Sequence, residues 1–579
     1  MAYITLSEKS SRTYSEEQIM WHSWSQDTFR IAHDENKPVF LHIYERNCRF
    51  SQSMAKNCFA DKMVIKLLNR DYIPVKIDKD EYKEISDFCS SICIKIHGKT
   101  ALPMNVFFTP FKKPFYVISY MERFPKNNSL SFVDLLHEIT FLWKYNHDDI
   151  LEISDELSES TNSSPFSAAR PTLFLCREAF DSFFRCYDSD FGGFGLAPKF
   201  PMPHQILFLL KYYTSFNDKT ALDMAEKTLL NMYRGSLFDH ISGGFFRYAN
   251  DHAWEQPCFE KRLADNALLL YTYCCAYKIT QNNDYQKAII KTTDFMLRCL
   301  RSKNGSFYTG ISTELNMAYG RYYFLSKTEI DFILGKEKSD EFCKYFCLTS
   351  AFAAEEGKSM PRINKVMEAP FDIESSVKKI DGYRSSRSNL CVDKTAVIAY
   401  NGLSMMALAK AFAVTGISDA LNAAERIHVF IEKNMWKCGT LMHSTNDVSL
   451  SQLSDYAFYA LGLLELYKAT ADDRYLSDAE YIAALIPHVF RTDGGEYYSI
   501  SDIKLPANRT SVITDSDVPS GSSAAALTFL KLGNITKKPM WQSLARHQLS
   551  FIAYTVSLHY TAHAFSLYAL LEDLKPNSD

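Results

Sequence analysis

A short turn made of glycine and an aromatic residue recurs along the C-terminal part of the chain. The copies are Gly192-Gly193-Phe194, Gly243-Gly244-Phe245, Gly305-Ser306-Phe307-Tyr308, Gly494-Gly495-Glu496-Tyr497 and, in a weaker form, Gly439-Thr440-Leu441. Neighbouring copies are roughly 50–65 residues apart, with one gap about twice as long, and such a period is typical of stacked supersecondary units.

Helical periodicity flanks every turn. The predicted helices lie near Thr172–Tyr187, His204–Thr214, Lys219–Arg234, Lys261–Ile279, Asp284–Arg301, Lys394–Val414, Ser418–Met435, Ser454–Thr470, Asp473–His488, Gly521–Leu532, Pro539–Val556 and His559–Leu571. Two helices per unit predict a closed all-α toroid of six hairpins, (α/α)6, over residues 171–575. The doubled gap predicts an insertion near 319–390 with short helices of its own.

Residues 1–150 show a different pattern, in which helices and strands alternate. The predicted strands are Val39–Tyr44, Tyr72–Asp78, Asn105–Thr109 and a hairpin partner, Phe115–Ser119. The predicted helices are Trp24–His33, a segment between the first two strands, Tyr82–Ile94 and Phe132–Tyr145. This alternation favours a parallel sheet in an α/β domain. Residues 151–170 are polar and serine-rich and are predicted to be a linker.

Composition excludes several classes of protein. The apolar fraction of 46% supports a large packed core, and the net charge of -4 with no basic block argues against nucleic-acid binding. The N-terminus lacks a signal-peptide pattern, and no apolar run is long enough to span a membrane, so we expect a cytoplasmic protein without a membrane partner. Nucleotide-binding and metalloprotease motifs are absent, and we expect no cofactor.

The 14 cysteines contain no C-x-x-C pair, and the four-apart pairs Cys89/Cys93 and Cys343/Cys347 are a poor zinc signature, so we expect no metal. Cys48 differs from the others because it follows a predicted central strand and precedes a helix, where the helix dipole favours a thiolate. Pro103 precedes the third strand, and a cis peptide bond there would face Cys48.

The chain resembles the spermatogenesis-associated thioredoxin-domain family, whose N-terminal domain is also known as a domain of unknown function. The resemblance rests on WSQDTFRIAHDENKPVFLHIY, DYIPVKID and LPMNVFFTP in the N-terminal region. It extends through GGFGLAPKFPMPHQILFLL, GGFFRYANDHAWEQPCFEKRLADNALLL, GRYYFLSKTEI, YNGLSMMALAKAF, DYAFYALGLLELYKAT and VPSGSSAAALTFLKL. It implies a thioredoxin-like domain followed by the toroid of six-hairpin glycosidases and epimerases.

The chain departs from the family pattern at positions that carry chemistry. The family's C-H-W-C-H motif is Cys48-Arg49-Phe50-Ser51-Gln52 here, so the second thiol is lost and dithiol exchange with it. Family histidines are replaced by Phe246 and Cys258, an acidic run by Thr309–Glu314, and a tryptophan by Tyr400. We expect weakened or absent catalysis, and Cys48 is either a monothiol exchange site or a structural remnant.

Sugar chemistry in such toroids uses carboxylates or histidines around a central funnel. The catalytic candidates are Glu260, Asp265 and Asp455, with Cys48 as a redox candidate. The ligand-binding candidates are Arg247, Tyr248, Asp251, Trp254, Lys261, Asn266, Tyr400, Asn401 and Tyr456. Each has a structural alternative: Glu260-Lys261 and Asp455 as helix caps, Trp254 as core, and Ser520-Gly521-Ser522 as a helix entry.

Three hypotheses remain open at this point. The toroid binds, or weakly processes, a carbohydrate-like small molecule, with isomerase, epimerase or glycosidase chemistry if it is active. The N-terminal domain acts as a monothiol exchanger through Cys48. The chain is a non-catalytic scaffold or regulator that binds protein partners.

Overall fold

The structure, a computed structural model, describes residues 18–46, 48–97, 100–123, 130–162, 169–312, 320–348, 358–370, 372–387, 390–446, 451–491, 497 and 513–574. The chain divides into two compact units, the first ending at Ser163 and the second beginning at Ser164. Among the described residues, no helix is both long and apolar enough to cross a membrane.

The first unit is built around a four-stranded sheet. Its elements are α1 Gln26–Asp34, β1 Val39–Tyr44, α2 Arg49–Asn57, α3 Lys62–Asp71, β2 Ile73–Asp78, α4 Lys83–His97, β3 Met104–Phe108, β4 Pro114–Ile118, α5 Phe132–Tyr145 and α6 His147–Asn162. The strand order is β2-β1-β3-β4. The β1–β2 pair is parallel, as predicted, while β3 runs antiparallel to β1 and forms the predicted hairpin with β4.

Both faces of this sheet are covered by helices, which explains why β1 and β3 are apolar along almost their whole length. Phe40 and Phe107 pack on one face with residues of α3 and α5. Leu41 and Val106 pack on the other face with residues of α1 and α4. The thioredoxin-like α/β fold predicted for this region is therefore confirmed.

Helix α6 extends into the segment that the sequence predicts to be a linker. The expectation of irregular structure from Ser154 is wrong as far as Asn162, where the helix ends. Ser154 is buried, and its hydroxyl donates a hydrogen bond to the Leu151 carbonyl one turn earlier in the helix. A polar side chain is therefore compatible with a helix at this position, because the helix backbone itself supplies its partner. Residues 163–168 of the predicted linker lie outside the described residues.

The second unit consists mainly of helices. Its elements are α7 Leu173–Cys186, α8 Pro203–Phe216, α9 Lys219–Arg234, β5 Glu260–Arg262, α10 Leu263–Thr280, α11 Asn283–Phe295, β6 Gly310–Ser312, β7 Leu325–Ser326, α12 Lys327–Leu334, α13 Lys336–Tyr345, β8 Lys358–Ser359, α14 Ile373–Ser385, β9 Cys391–Asp393, α15 Ile398–Thr415, α16 Ser418–Asn434, β10 Trp436–Lys437, β11 Thr440–Leu441, α17 Leu453–Thr470, α18 Asp473–Phe490, α19 Gly521–Thr536, α20 Pro539–Leu558 and α21 Ala564–Leu574.

Six of these helices form a closed inner ring. Around the ring, each of α8, α10, α15, α17, α19 and α21 contacts the next, and α21 contacts α8. Each inner helix also packs against one outer helix: α9, α11, α16, α18, α20 and α7, in the same order. The predicted (α/α)6 toroid is therefore confirmed from the packing of the helices themselves.

The inner helices are buried on all sides, as a ring between a core and an outer layer requires. In α10 every residue from Leu263 to Cys274 is buried. The α15–α17 contact is especially close, because a Cβ atom at Gly402 would lie 2.6 Å from the Phe458 carbonyl carbon. Glycine at this position allows the two backbones to approach each other.

The recurring turns connect five of the six outer helices to the following inner helix, whereas α20 is joined to α21 by the short 3-10 helix Tyr560–His563. In four described turns, antiparallel pairs join Tyr187 to Phe194, Phe238 to Phe245, Arg301 to Phe307 and Trp436 to Leu441. Arg491 and Tyr497 form the same bridge, although residues 492–496 lie outside the described residues. The return connections are two-residue turns such as Asn217-Asp218. All long connections therefore lie beside the N-terminal ends of the inner helices, and we call the space these ends surround the hub.

Two inner-helix asparagines hold such turns in the same way. The Asn266 side chain accepts a hydrogen bond from the Phe245 N–H at 2.7 Å and donates to the Phe245 and Arg262 carbonyls. Asn401 makes the equivalent bonds to Phe307 and Val397. Both residues were predicted to contact a ligand. Their amide groups are hydrogen-bonded to the backbone, and each holds the turn that precedes its own helix.

The predicted insertion contains α12, α13 and α14, which have a small apolar cluster of their own. Arg384 of α14 is buried, and its guanidinium is 2.6 Å from the Asp239 carboxylate, which also binds Lys261 at 2.7 Å. These two cations hold the pKa of Asp239 far below its usual range against the effect of burial. This ion pair connects the insertion to the turn between α9 and α10 that contains Asp239.

We expect Asn266→Ala and Asn401→Ala each to lower the free energy of unfolding by about 2–4 kcal/mol, because buried backbone groups lose their partners. Thermal and denaturant unfolding of the full chain measures this loss. The control is Asn434→Ala, at an exposed helix end, where we expect a change within about 0.5 kcal/mol. Equal effects at all three positions would contradict the proposed anchoring role.

Candidate active site in the hub

A small pocket, partly open to solvent and with room for about one water molecule, lies at the N-terminal ends of α8 and α10. Its lining residues are Phe200, Pro201, Met202, Pro203, Arg247, Asp265, Leu269 and Asp517. Two of these, Arg247 and Asp265, are candidates from the sequence. The pocket therefore brings together a loop before α8, the turn before α10, α10 itself and the segment before α19.

In strand β5, the side chains of the three consecutive charged residues Glu260, Lys261 and Arg262 lie on two opposite sides of the strand. The sequence predicts a helix from Lys261, with Glu260, Lys261 and Asp265 on one face, but residues 260–262 are extended and the helix begins at Leu263. Because strand side chains alternate, Glu260 and Arg262 point towards the hub, whereas Lys261 binds Asp239 on the other side. Lys261 is therefore excluded from the pocket, and the predicted shared face is wrong.

Two arginines and two carboxylates form an ionic network at the pocket. The Arg247 guanidinium is 3.2 Å from Glu260 and 3.3 Å from Asp517. The Arg262 guanidinium is 2.8 Å from Asp517 and donates to the Tyr400 hydroxyl at 3.4 Å. This network fixes the orientation of donors and acceptors before any ligand arrives, which lowers the cost of binding.

Asp265 is the most chemically distinctive residue of the pocket. It is buried, and its Oδ2 atom has no hydrogen-bond partner among the residues that the structure describes. Burial raises the pKa of this carboxyl to about 7, opposed by the charges of Arg262 and Arg247 and reinforced by those of Asp517 and Glu260. A carboxyl that titrates near neutrality and faces a pocket can both accept and donate a proton.

His204 is a second buried polar group near the pocket. It follows Pro203, a lining residue, and neither ring nitrogen has a hydrogen-bond partner within the described part of the chain. Burial lowers the pKa of this imidazole to about 4 despite the nearby charge of Asp517, so the ring is neutral at physiological pH. His204 lies within the family motif GGFGLAPKFPMPHQILFLL, but no local pattern marks it as a site residue.

The other ligand-binding candidates have structural roles or lie at the edge of the site. Trp254 is completely buried, and its indole N–H donates to the Phe191 carbonyl, so no ring face is open to a ligand. Asp251 accepts hydrogen bonds from the Glu255 and Gln256 N–H groups and so closes a turn. Tyr248 packs on Phe200 with 5.0 Å between ring centres, which places it beside the pocket.

Asp455 and Tyr456 serve the start of α17. The Asp455 carboxylate accepts hydrogen bonds from the Ala399 and Gln452 N–H groups and lies 2.9 Å from His443. The Tyr456 hydroxyl accepts a hydrogen bond from the Leu441 N–H. Asp455 therefore caps the helix from its third position, with Gln452 at the N-cap, and not as the N-cap considered from the sequence. Its bond to Ala399 also joins the starts of α15 and α17.

The positions where the family has histidines carry no acid–base group. Phe246 packs edge-on against Tyr323 at 4.8 Å between ring centres. Burial raises the pKa of the Cys258 thiol to about 12, so it stays protonated at neutral pH. Of the lost acidic run, residues 313 and 314 lie outside the described residues.

Cys48 occupies the position that the sequence predicts, at the N-cap of α2. Its thiol is 3.8 Å from the Leu102 carbonyl, and the Leu102-Pro103 peptide bond is cis, as predicted. Ser51 is buried, and its hydroxyl accepts a hydrogen bond from the Glu45 N–H. Ser51 thus stands where the resemblance leads us to expect the second thiol, and its hydroxyl is already hydrogen-bonded to the backbone.

Sequence reasoning missed three residues around the pocket: Arg262, Asp517 and His204. Arg262 had a usable signal, since a strand over 260–262 would have paired it with Glu260. Asp517 is far from the others in sequence and is preceded by residues without periodicity, so nothing local marks it. Only the closure of the ring brings it to Arg247 and Arg262.

The titration of Asp265 predicts a pH-dependent effect of its replacement. The folded chain keeps a proton on this carboxyl up to about pH 7, whereas an unfolded aspartate loses it near pH 4, so stability falls as pH rises between these values. Asp265→Asn should therefore raise the unfolding free energy at pH 8 by roughly 2–4 kcal/mol, at about 1.4 kcal/mol per pKa unit, and have little effect at pH 4.

Thermal unfolding at the two pH values measures this difference. The exposed carboxyl of Asp181 provides the control variant, Asp181→Asn, which should show no such dependence. A stabilisation by Asp265→Asn that is equal at pH 4 and pH 8 would show that Asp265 is not protonated in the folded chain.

Comparison with known proteins gives a consistent picture. Residues 5–162 match the Thioredox_DsbH family, described as a protein of unknown function, DUF255. Human spermatogenesis-associated protein 20 is 27% identical over 593 residues, which cover 90% of this chain and 74% of the relative. An uncharacterized protein from Caenorhabditis elegans is 26% identical over 91% of this chain and 79% of its own length.

Solved structures with similar folds include a D-mannose isomerase, with a TM-score of 0.45 and 13% identity, covering 72% of this chain and 100% of that one. The cellobiose 2-epimerase from Spirochaeta thermophila has a TM-score of 0.42 and 13% identity, covering 67% of this chain and 84% of that one. The resemblance stated from the sequence is confirmed: residues 5–162 match the DUF255 family model, and the chain is similar to spermatogenesis-associated protein 20 over 90% of its length.

Proposed function

We propose that the hub binds a small, neutral, polyhydroxylated molecule of the carbohydrate type at the mouth of this pocket, with one ligand hydroxyl inside the pocket and Asp265 as the proton-transferring group. The observation that carries this proposal is a buried carboxylate oxygen of Asp265 that has no hydrogen-bond partner in the described part of the chain, on a residue that lines a pocket with Arg247 and Asp517. A buried polar atom without a partner is costly, and a ligand hydroxyl would satisfy it.

The charges at the pocket favour a neutral ligand over an anionic one. Both guanidinium groups already contact carboxylates, Arg247 with Glu260 and Asp517, and Arg262 with Asp517. A phosphate or sulfate would have to displace these carboxylates from the arginines. Adjacent donors and acceptors suit the vicinal hydroxyl groups of a sugar, each of which both donates and accepts a hydrogen bond.

If the site retains activity, isomerase- or epimerase-like proton transfer fits it better than glycoside hydrolysis. Hydrolysis needs two carboxyl groups acting on opposite sides of the bond that breaks. Here Glu260 and Asp517 contact arginines, which leaves Asp265 as the carboxyl whose pKa, about 7, suits proton transfer at neutral pH. The losses at Phe246 and Cys258 are consistent with a weakened reaction.

Ligand binding to the full chain tests this proposal. We expect neutral monosaccharides such as D-mannose or D-glucose to raise the melting temperature and to bind in calorimetry, whereas their phosphate esters bind no more tightly. Arg247→Gln and Asp517→Asn should each weaken binding at least tenfold, or about 1.4 kcal/mol. The matched control is Arg177→Gln, on the exposed side of α7.

Sugar binding that survives both pocket variants would place the ligand elsewhere, and the absence of binding by any neutral sugar would rule out the proposal. Asp265→Asn separates binding from chemistry. It should retain affinity within a few-fold while abolishing any proton exchange between substrate and solvent deuterium. A variant that still exchanges would remove Asp265 from its proposed role.

We also propose monothiol exchange at Cys48 as a second, independent function of the first unit. The specific observation is its position at the N-cap of α2, half-buried and next to the carbonyl before Pro103. Oxidised glutathione would form a mixed disulfide with the Cys48 thiolate and release reduced glutathione, and Ser51 cannot resolve that disulfide. The cytoplasmic location and the scaffold role considered from the sequence stay predictions.

The variant Ser51→Cys provides a gain-of-function test. In the natural chain, peptide mapping after glutathione treatment should show a persistent mixed disulfide at Cys48. In Ser51→Cys the new thiol should displace glutathione and leave a Cys48–residue 51 disulfide. Exposed Cys438 serves as the internal reference for ordinary reactivity. If Cys48 takes up less glutathione than Cys438, or the mixed disulfide persists in the variant, thiol exchange at this position is excluded.

A further inference from the structure

Three potential metal ligands meet on the outer layer of the second unit, away from the hub pocket. His428 and Glu432 lie one turn apart on α16, and Asp478 comes from α18. The His428 Nε2 atom is 3.5 Å from Glu432 Oε2 and 3.5 Å from Asp478 Oδ2. All three ligand atoms lie within 4.8 Å of one another.

The imidazole is held in the orientation that a metal ligand requires. Its other nitrogen, Nδ1, is 2.9 Å from the hydroxyl of Tyr459, which lies on the inner helix α17. In metal sites the nitrogen that does not bind the ion is commonly hydrogen-bonded, which fixes the ring and its tautomer. In the tautomer whose Nδ1–H donates to the Tyr459 hydroxyl, the lone pair of Nε2 is directed at the two carboxylates, as binding of an ion requires.

We propose that His428, Glu432 and Asp478 bind one divalent transition-metal ion of the zinc type. A tetrahedral ion with bonds of about 2.0–2.1 Å places its ligand atoms about 3.3 Å apart, close to the two measured separations of Nε2 from the carboxylates. Two carboxylates balance the ion's charge, and one imidazole with two carboxylates is a ligand set that such ions accept.

An ion pair between a charged imidazole and the carboxylates is the competing explanation. The geometry favours the ion, because the Glu432 and Asp478 carboxylates each lie 3.5 Å from the same Nε2 atom, longer than an ordinary N–H···O hydrogen bond. The Arg474 guanidinium does not neutralise the two carboxylates by contact, because it is bound to Asp472 at 2.6 Å.

The site is suited to a structural role rather than to catalysis in the hub. The ion would connect α16 to α18, and through Tyr459 it would also hold α17, so three helices of two neighbouring hairpins would be fixed together. The Glu432 and Asp478 side chains are 51% and 41% exposed, which leaves the ion accessible from solvent and a fourth position for water. Binding would stabilise the folded ring by mass action.

Cobalt(II) titration of the full chain, followed by displacement with zinc, tests the proposal. We expect one ion per chain with visible absorption bands of a four-coordinate site and no thiolate charge-transfer band, which separates this site from the exposed cysteines Cys186, Cys391 and Cys438. Glu432→Gln, Asp478→Asn and His428→Gln should each weaken binding at least tenfold, and Tyr459→Phe should weaken it by about 10–100-fold.

Glu425→Gln is the matched control, because Glu425 also lies on α16 and instead accepts a hydrogen bond from the Tyr475 hydroxyl. It should bind cobalt as the natural chain does. Glu432 is half exposed, so Glu432→Gln is expected to fold and keeps the test valid if a His428 variant does not. Zinc should raise the melting temperature of the natural chain and of Glu425→Gln but not of Glu432→Gln. No binding, or binding that these substitutions leave unchanged, would overturn the proposal.

Discussion

The contact between the last and the first inner helix closes the ring and creates the hub. Helix α21 packs against α8, although more than three hundred residues separate them in sequence. An ion pair supports this contact, with 3.1 Å between the ammonium of buried Lys211 and the Glu572 carboxylate. Without closure, the segment that carries Asp517 would not reach Arg247 and Arg262. Each hairpin thus depends on its neighbours to bury its inner helix.

The two ends of the inner ring differ in their electrostatics. Towards the C-terminal ends, buried Glu465 lies among lysines, 2.7 Å from Lys531 and 3.9 Å from Lys410, and these cations hold its pKa far below the usual range despite burial. Cations near helix C-termini are favourable. At the N-terminal ends, the Asp265 carboxyl has a raised pKa and an oxygen without a hydrogen-bond partner among the described residues. The buried carboxylate is therefore paired with cations at one end, whereas at the other end a buried polar atom is left unsatisfied, as in many functional sites.

The positions at which the sequence departs from the expected family pattern are well packed in the structure. Phe246 joins an aromatic cluster, Cys258 is a buried neutral thiol, and Ser51 accepts a backbone hydrogen bond. Each of these side chains is therefore accommodated by its surroundings, so none of the three positions disturbs the fold.

Most helices and strands, and their order, could be predicted from the sequence. Apolar periodicity located all twelve helices of the ring, the repeating turns indicated that they form hairpins, and β1 was predicted to the residue with β2, β3 and β4 shifted by one residue at one or both ends, because these patterns are local. The sequence also placed Cys48 before a helix and Pro103 opposite it. Which polar residues meet depends on how distant segments pack. Lys261 and Glu260 are neighbours in sequence, yet a three-residue strand turns them to opposite sides, and Asp517 reaches the pocket only through ring closure. Burial, which governs the titration of Asp265 and leaves His204 neutral, is a property of the assembled ring that no local pattern contains.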